Sequence, residues 1–202
     1  MTTITTIEQL ERHYGTPGEA SLIKVADRLT VGYRRFIEAS PFLVLATAGP
    51  EGLDCSPRGD RGQVVTIPDE RTVILADRRG NDRIDSLRNI VRDPRVALIF
   101  LVPGSTTTLR INGTAAISAD PDLLASLAIE EKAPRTAVVV TICEIYFQCS
   151  RAVMRARLWE DGAKVDPKDL PTPGELLKEM KQGFDAATYD REWPGRAAKS
   201  MW

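Results

Sequence analysis

Between Phe42 and Ser150 the chain carries at least six β-rich runs with few helices between them, a pattern that points to a small barrel. The first run, residues 42–47, ends at Gly49-Pro50 and Gly52, and residues 53–56 begin the return strand of a hairpin. Pro57, Arg58 and Gly59 interrupt that return. Such residues mark an edge, a bulge or a backbone that something else approaches, which makes Arg58 a candidate ligand contact. Residues 63–67 and 72–76 read as a second hairpin around Pro68-Asp69-Glu70. Residues 95–102 are almost continuously apolar, as expected of a strand buried on both faces. Residues 106–117 alternate, with Thr108, Arg110 and Asn112 on one face and Leu109 and Ile111 on the other. Residues 136–150 form a last long strand, with Cys143 and Cys149 on one face and Glu144, Tyr146 and Gln148 on the other.

Helices frame these strands. Thr6 and Gln9 have capping-box spacing at the head of a short helix, which Gly15, Pro17 and Gly18 end. Leu22, Val25, Leu29, Tyr33, Phe36 and Ile37 keep one helical face as far as Ser40-Pro41 and predict a single covering helix. Asp120-Pro121 opens another short helix, and Thr172-Pro-Gly-Glu175 is a capping box for a helix over residues 175–182 whose apolar side is Leu176, Leu177 and Met180.

The most chemically pointed segment is Asp77-Arg-Arg-Gly-Asn-Asp-Arg83, between a β-run and a helix expected over residues 82–91. Three arginines fall within six residues. Gly80 lets the backbone approach an anion, and Asn81 or Asp82 can cap the helix whose free N–H groups point outward. Guanidinium forks match phosphate oxygens. The same segment also reads as a plain solvated turn, because charge runs commonly face water.

Composition narrows the partners. The 202 residues suit one core with helical appendages and carry a formal net charge of −1, so no global field collects nucleic acid. Cys55, Cys143 and Cys149 are odd in number and contain no Cys-x-x-Cys pair, which argues against disulfides and zinc and for a reducing cytoplasm. Cys55 and Cys149 read as small core residues without a neighbouring base. Neither a leader pattern nor an apolar window of membrane-spanning length is visible, so a soluble cytoplasmic protein is expected. His13, the single histidine, reads as a surface residue.

Taken together, Ser40-Pro-Phe, Ala46-Thr, Ser56-Pro-Arg-Gly-Asp60, Asp77-Arg-x-Gly-Asn81-x-Arg83-x-Asp-Ser-Leu-Arg-Asn89, Asp93-Pro-Arg-Val96, Leu109-Arg-x-Asn-Gly113 and Leu158-Trp159 resemble the pyridoxamine 5′-phosphate oxidase-related, FMN-binding split-barrel family. The resemblance covers roughly residues 22–159. It implies a split β-barrel, mainly β with peripheral helices, acting as a homodimer with FMN at the subunit interface. Residues 1–160 would be the flavin domain, and residues 161–202 a helical tail packed on it. The resemblance places the flavin phosphate against Asp77, Arg78, Arg79, Asn81, Arg83 and Ser86, and the ring along Ser56 to Gly59, with Arg58 toward ring or phosphate. Thr108 and Arg110 would reach FMN from the partner subunit.

Relatives often carry His and Lys where this chain has Gln148 and Arg151. No side chain stands out as catalytic and no metal is implied. Flavin chemistry tolerates that, since the ring itself accepts and returns electrons. The leading expectation is an FMN-dependent oxidoreductase taking electrons from a reduced nicotinamide or another donor for a small organic molecule. A non-catalytic binding protein for FMN, a deazaflavin or haem is the alternative. Pyridoxamine phosphate oxidation is not expected, because the tail does not resemble the oxidases' C-terminal part. Tyr189, Trp193 and Trp202 would line a substrate entrance or anchor the tail.

Overall fold

The computed structural model describes residues 3–200. Strands β1 (Phe42–Gly49), β2 (Gly52–Gly59), β3 (Thr72–Ala76), β4 (Arg95–Leu101), β5 (Thr108–Ser118) and β6 (Ala137–Gln148) form one antiparallel sheet in the order β2-β1-β4-β5-β6-β3. The sheet curls into a split β-barrel. Leu43, Leu45, Leu98, Phe100, Leu109, Ile111, Val73, Val140 and Ile145 fill its inner face, and Ile37 closes one end. On the reverse side of β3, Ile74 packs with Ala137 and Leu127, beside the helix α5 described below.

Helices sit around this sheet. Helices α1 (Ile7–Glu11) and α2 (Glu19–Ile23) bury nothing. Thr6 caps α1 by accepting from Gln9 N, but Gln9 Oε1 accepts from Thr5 N, so the box closes one residue early. The single helix predicted over residues 22–37 is instead two pieces, α2 and α3 (Val31–Glu38). Ala26 leaves the helix to exchange backbone hydrogen bonds with Ile145 on β6, and Thr30 then caps α3 through Tyr33 N. The chain gains a strand-like bridge there at the expense of one helical turn.

Strand β2 runs unbroken through Pro57, Arg58 and Gly59, which were expected to interrupt it. It is the sheet's edge, so the missing Pro N–H costs no ladder bond. The second predicted hairpin shrinks to one bridge between Thr66 and Ile74, because β3 spends its ladder on β6. Strand β4 alternates rather than burying both faces: Val96, Leu98 and Phe100 are buried, while Ala97, Ile99 and Leu101 are part-exposed.

In β6 the predicted alternation breaks at a bulge. Asn112 opposes Glu144 but Gly113 opposes Ile142, leaving Cys143 as the extra residue. Cys55, Cys143 and Cys149 are all exposed, so the expected core cysteines lie outside the core, on an edge strand and just past β6. Helix α4 (Asp85–Arg92) follows β3, and α5 (Pro121–Ser126) is capped by Asp120 as predicted. After β6 come α6 (Arg151–Ala156) and then, in the tail, two 3₁₀ turns, α7 (Pro173–Met180) and α8 (Ala186–Ser200). The Thr172–Glu175 capping box is complete, α7 packs on α8, and Asp190 accepts from Thr172 Oγ1 (2.6 Å) and Gly174 N (2.9 Å). Leu176, Leu177 and Met180, the predicted apolar side, are exposed.

The bulge gives a test. A Cβ at Gly113 would overlap the Thr141 carbonyl oxygen, which the β-ladder holds in place. Gly113→Ala should lower stability by about 1–3 kcal/mol, the usual cost of overpacking, read as a fall in the thermal unfolding midpoint.

Candidate functional site

A cleft of about 540 Å³ opens between β2, the loop that follows β3, and the first turn of α4. Strand β2 presents Asp54, Ser56 and Arg58 to it because alternate side chains share a face. The same residues oppose the buried Thr47, Leu45 and Leu43 across the ladder, which fixes that face inward. The loop bends sharply at Asp82 (φ 61°) and Ile84 (φ 52°). A non-glycine residue pays roughly 1–2 kcal/mol for such a conformation, and a β-branched one is rare there. Ile84, rather than Asn81 or Asp82, occupies the N-cap position of α4, with no side-chain cap. Asn81 instead accepts from Arg83 N at 3.2 Å and shapes the turn.

Helix α4 is set by Asn89, whose amide donates to Thr47 Oγ1 at 3.2 Å. A side chain at Gly49 would collide with that amide, so only glycine admits the helix this close. Its first turn thereby brings Ser86, 3 % exposed, beside β2. Ser86 Oγ donates to Asp54 Oδ2 and accepts from Arg58 Nη2 at 3.2 Å. Arg58 Nη1 also lies 3.6 Å from Asp77 Oδ1. Burial pushes the Asp77 carboxyl above its ordinary value, with Arg58 and Arg135 pulling the other way.

The arginines differ in availability. Arg78 is committed: its Nε and Nη2 reach Asp60 Oδ2 at 2.9 Å, and Nη1 donates to the Leu127 carbonyl at 2.8 Å. Arg83 pairs with Asp85 at 2.8 Å and Arg135 with Asp82 at 2.8 Å, both on the surface, where ion pairs are weak and exchangeable. Arg79 is exposed at the rim. Thr136 Oγ1 is buried in the wall beside Asp77, whose carboxyl its hydroxyl helps to keep ionised, and nothing lies within 4 Å of a Cβ placed on Gly80. An oxyanion with several lone pairs suits this lining.

Eight of the residues singled out from the sequence, Ser56, Arg58, Asp77, Arg78, Arg79, Asn81, Arg83 and Ser86, line this one cleft. Thr108 and Arg110 do not. They lie on β5, where Thr108 is buried and Arg110 stacks 5.4 Å from the Tyr146 ring centroid. Sequence reasoning missed Asp54, Arg135 and Thr136, while Asp82 and Asp85 lay within the segment it named without being singled out as contacts. Period-two alternation from Ser56 and Arg58 would have found Asp54. Arg135 and Thr136 reach the cleft only because β6 pairs with β3. Tyr189 and Trp193 are absent from the lining; Tyr189 packs against Phe184 and Arg196, and Trp193 is half-exposed. Trp202 lies outside the described residues.

Residues 29–149 match the sequence model of the pyridoxamine 5′-phosphate oxidase family. The chain belongs to that family. Among solved structures it is similar to a pyridoxamine 5′-phosphate oxidase-like protein from Lactobacillus delbrueckii, 22 % identical, covering 60 % of this chain and 95 % of that one with a TM-score of 0.49. HupZ from Group A Streptococcus is 16 % identical over 59 % of this chain and 93 % of that one, TM-score 0.47. An F420 reductase is 20 % identical over 59 % and 98 %, TM-score 0.44. No curated protein matches the chain.

The unequal commitment of the arginines predicts a split. Arg78→Ala leaves the half-buried Asp60 carboxylate without its partner and should cost about 2–3 kcal/mol of stability. Arg83→Ala should leave the unfolding midpoint unchanged within about 0.5 kcal/mol. Equal midpoints for the two variants would contradict this division.

Proposed function

We infer that the chain is an FMN-binding oxidoreductase working as a homodimer. The observation that carries this is the cleft itself, where arginines, the buried Ser86 hydroxyl and an open glycine converge beside an edge strand. Arg58, Arg79, Arg83, Ser86 and Thr136 are the groups that would hold the flavin phosphate, and the backbone of Ser56 to Gly59 would lie along the ring. Arg78 and Asp77 act behind them, Arg78 by tying the loop to Asp60 and Leu127, Asp77 by orienting Arg58. Bound there, FMN would supply the redox chemistry. This chain's own residues then bind, orient and exclude water, and no protein acid is required.

The apolar outer side of the sheet supports the dimer. Phe42, Val44 and Ala46 on β1, with Ala97, Ile99 and Leu101 on β4, form an apolar surface continuous with Pro57 and the exposed Leu53 on β2. An apolar face of this extent on a polar protein marks an interface. A second copy seated on it is the reading that also brings Thr108 and Arg110 of β5 toward the other subunit's cofactor.

A purely binding role for the same cleft is the second reading.

Purified protein should show a flavin absorbance spectrum that bleaches on anaerobic addition of NADPH; a bound flavin that stays oxidised with every donor would favour the binding role. Arg58→Ala should weaken FMN retention about ten- to hundredfold, the worth of one charge-assisted contact. Ile99→Asp should yield monomers by light scattering and lose flavin with them. A monomer that keeps its flavin would remove the interface from the account.

A further inference from the structure

A second cavity, of about 370 Å³, opens at the end of β2. It adjoins the flavin cleft, because Arg78 and Arg79 line both. Asp54, beside Ser86, and Gly59 stand five residues apart on β2, about 17 Å along an extended strand. The cavity therefore begins where the ring of a flavin laid along Ser56 to Gly59 would end, at the opposite end of the strand from Ser86. Its charges do not cancel: Arg61, Arg78 and Arg79 line it with only two carboxylates, Asp60 and Glu130. Arg78 and Asp60 satisfy each other at 2.9 Å and form a fixed wall. Arg61 and Glu130 face each other across 3.9 Å, both largely exposed, and an exposed pair at that separation holds weakly. Arg79 has no ion pair among the described residues. Ile129 adds an apolar side chain, and Ser200 in the last turn of α8 brings the tail to the wall.

We propose that this cavity is the substrate site and that it takes a small organic carboxylate, with Arg61 and Arg79 receiving the anion and Ile129 meeting the apolar body at the edge of the flavin. The proposal rests on reading the neighbouring cleft as the FMN site. Guanidinium forks match the two oxygens of a carboxylate. A neutral molecule would leave one guanidinium uncompensated, and a cation would meet the excess positive charge. The volume stands at the low end of the range for small-molecule pockets, which suits a single ring or a short branched chain. Glu130 competes with the incoming anion for Arg61 and so selects against weak anions. Binding makes and breaks no covalent bond.

The test titrates the FMN-loaded full chain with benzoate and with its neutral counterpart benzamide, following both the flavin absorbance and the heat of binding. Benzoate should bind saturably and shift the flavin spectrum. Benzamide should bind about tenfold more weakly, the worth of one charge-assisted contact. Arg61→Gln keeps the backbone N–H that donates to Asp60, and Arg61 lies outside the flavin cleft. The variant should therefore weaken benzoate binding about tenfold and retain FMN as wild type does. Glu130→Gln should tighten benzoate binding, because it releases Arg61. Equal affinities for benzoate and benzamide, or a benzoate affinity indifferent to both substitutions, would overturn the anion site. Heat of binding without any change in the flavin spectrum would overturn its place beside the ring. A chain that takes up no FMN, a result read before any benzoate is added, would overturn the flavin reading first and this proposal with it.

Discussion

The close seat of Asn89 against Gly49 is the contact on which the site depends. Asn89 is buried, its amide bridges α4 to Thr47, and a Cβ on Gly49 would expel it. With the helix held there, Ser86 one turn earlier falls beside Asp54 and Arg58 on the edge strand. Two elements distant in sequence become one wall of the cleft through a single small residue. The left-handed backbone at Asp82 and Ile84 is the accompanying cost, since the loop must turn sharply to enter a helix whose position is set by its far end.

The cleft is rich in arginine without being strongly positive. Arg58, Arg78, Arg83 and Arg135 each face a carboxylate, so their guanidinium groups are oriented before any ligand arrives. Orientation of this kind lowers the entropic cost of binding, while the carboxylates subtract from the net attraction. The two effects fall on different residues. Arg78 is locked by a carboxylate and a main-chain carbonyl and serves the loop; Arg83 and Arg135 hold exchangeable surface pairs and can swing to an anion.

The sheet has a comparable division. Its inner face is filled by Leu, Ile, Val and Phe side chains from five strands, and its outer face is apolar along β1 and β4 yet part-exposed. The continuous apolar pattern of residues 95–102 was therefore legible, but its meaning was not. A run buried on both faces and a run buried on one face and apolar but part-exposed on the other have the same sequence pattern, because both are apolar on both sides.

Much of the architecture and most of the candidate site could be read from the chain alone. Strand periodicity, the turn glycines and prolines, the capping residues Asp120 and Thr172, and the arginine-rich loop are local signals, and local signals survive in sequence. Ala26 was misread because its backbone pairs with Ile145, more than a hundred residues away, and no helical pattern records such a bridge. Cys143 was misassigned because one bulge inverts the alternation of a strand. Sequence by itself determined which residue types gather at the loop and on β2, since spacing and side-chain period are chain properties. Only the tertiary structure decided which arginine is locked to the fold and which holds only a surface ion pair, and that Asp54, Arg135 and Thr136 share their cleft, because those facts depend on where Asp60, Leu127 and Ser86 stand in space.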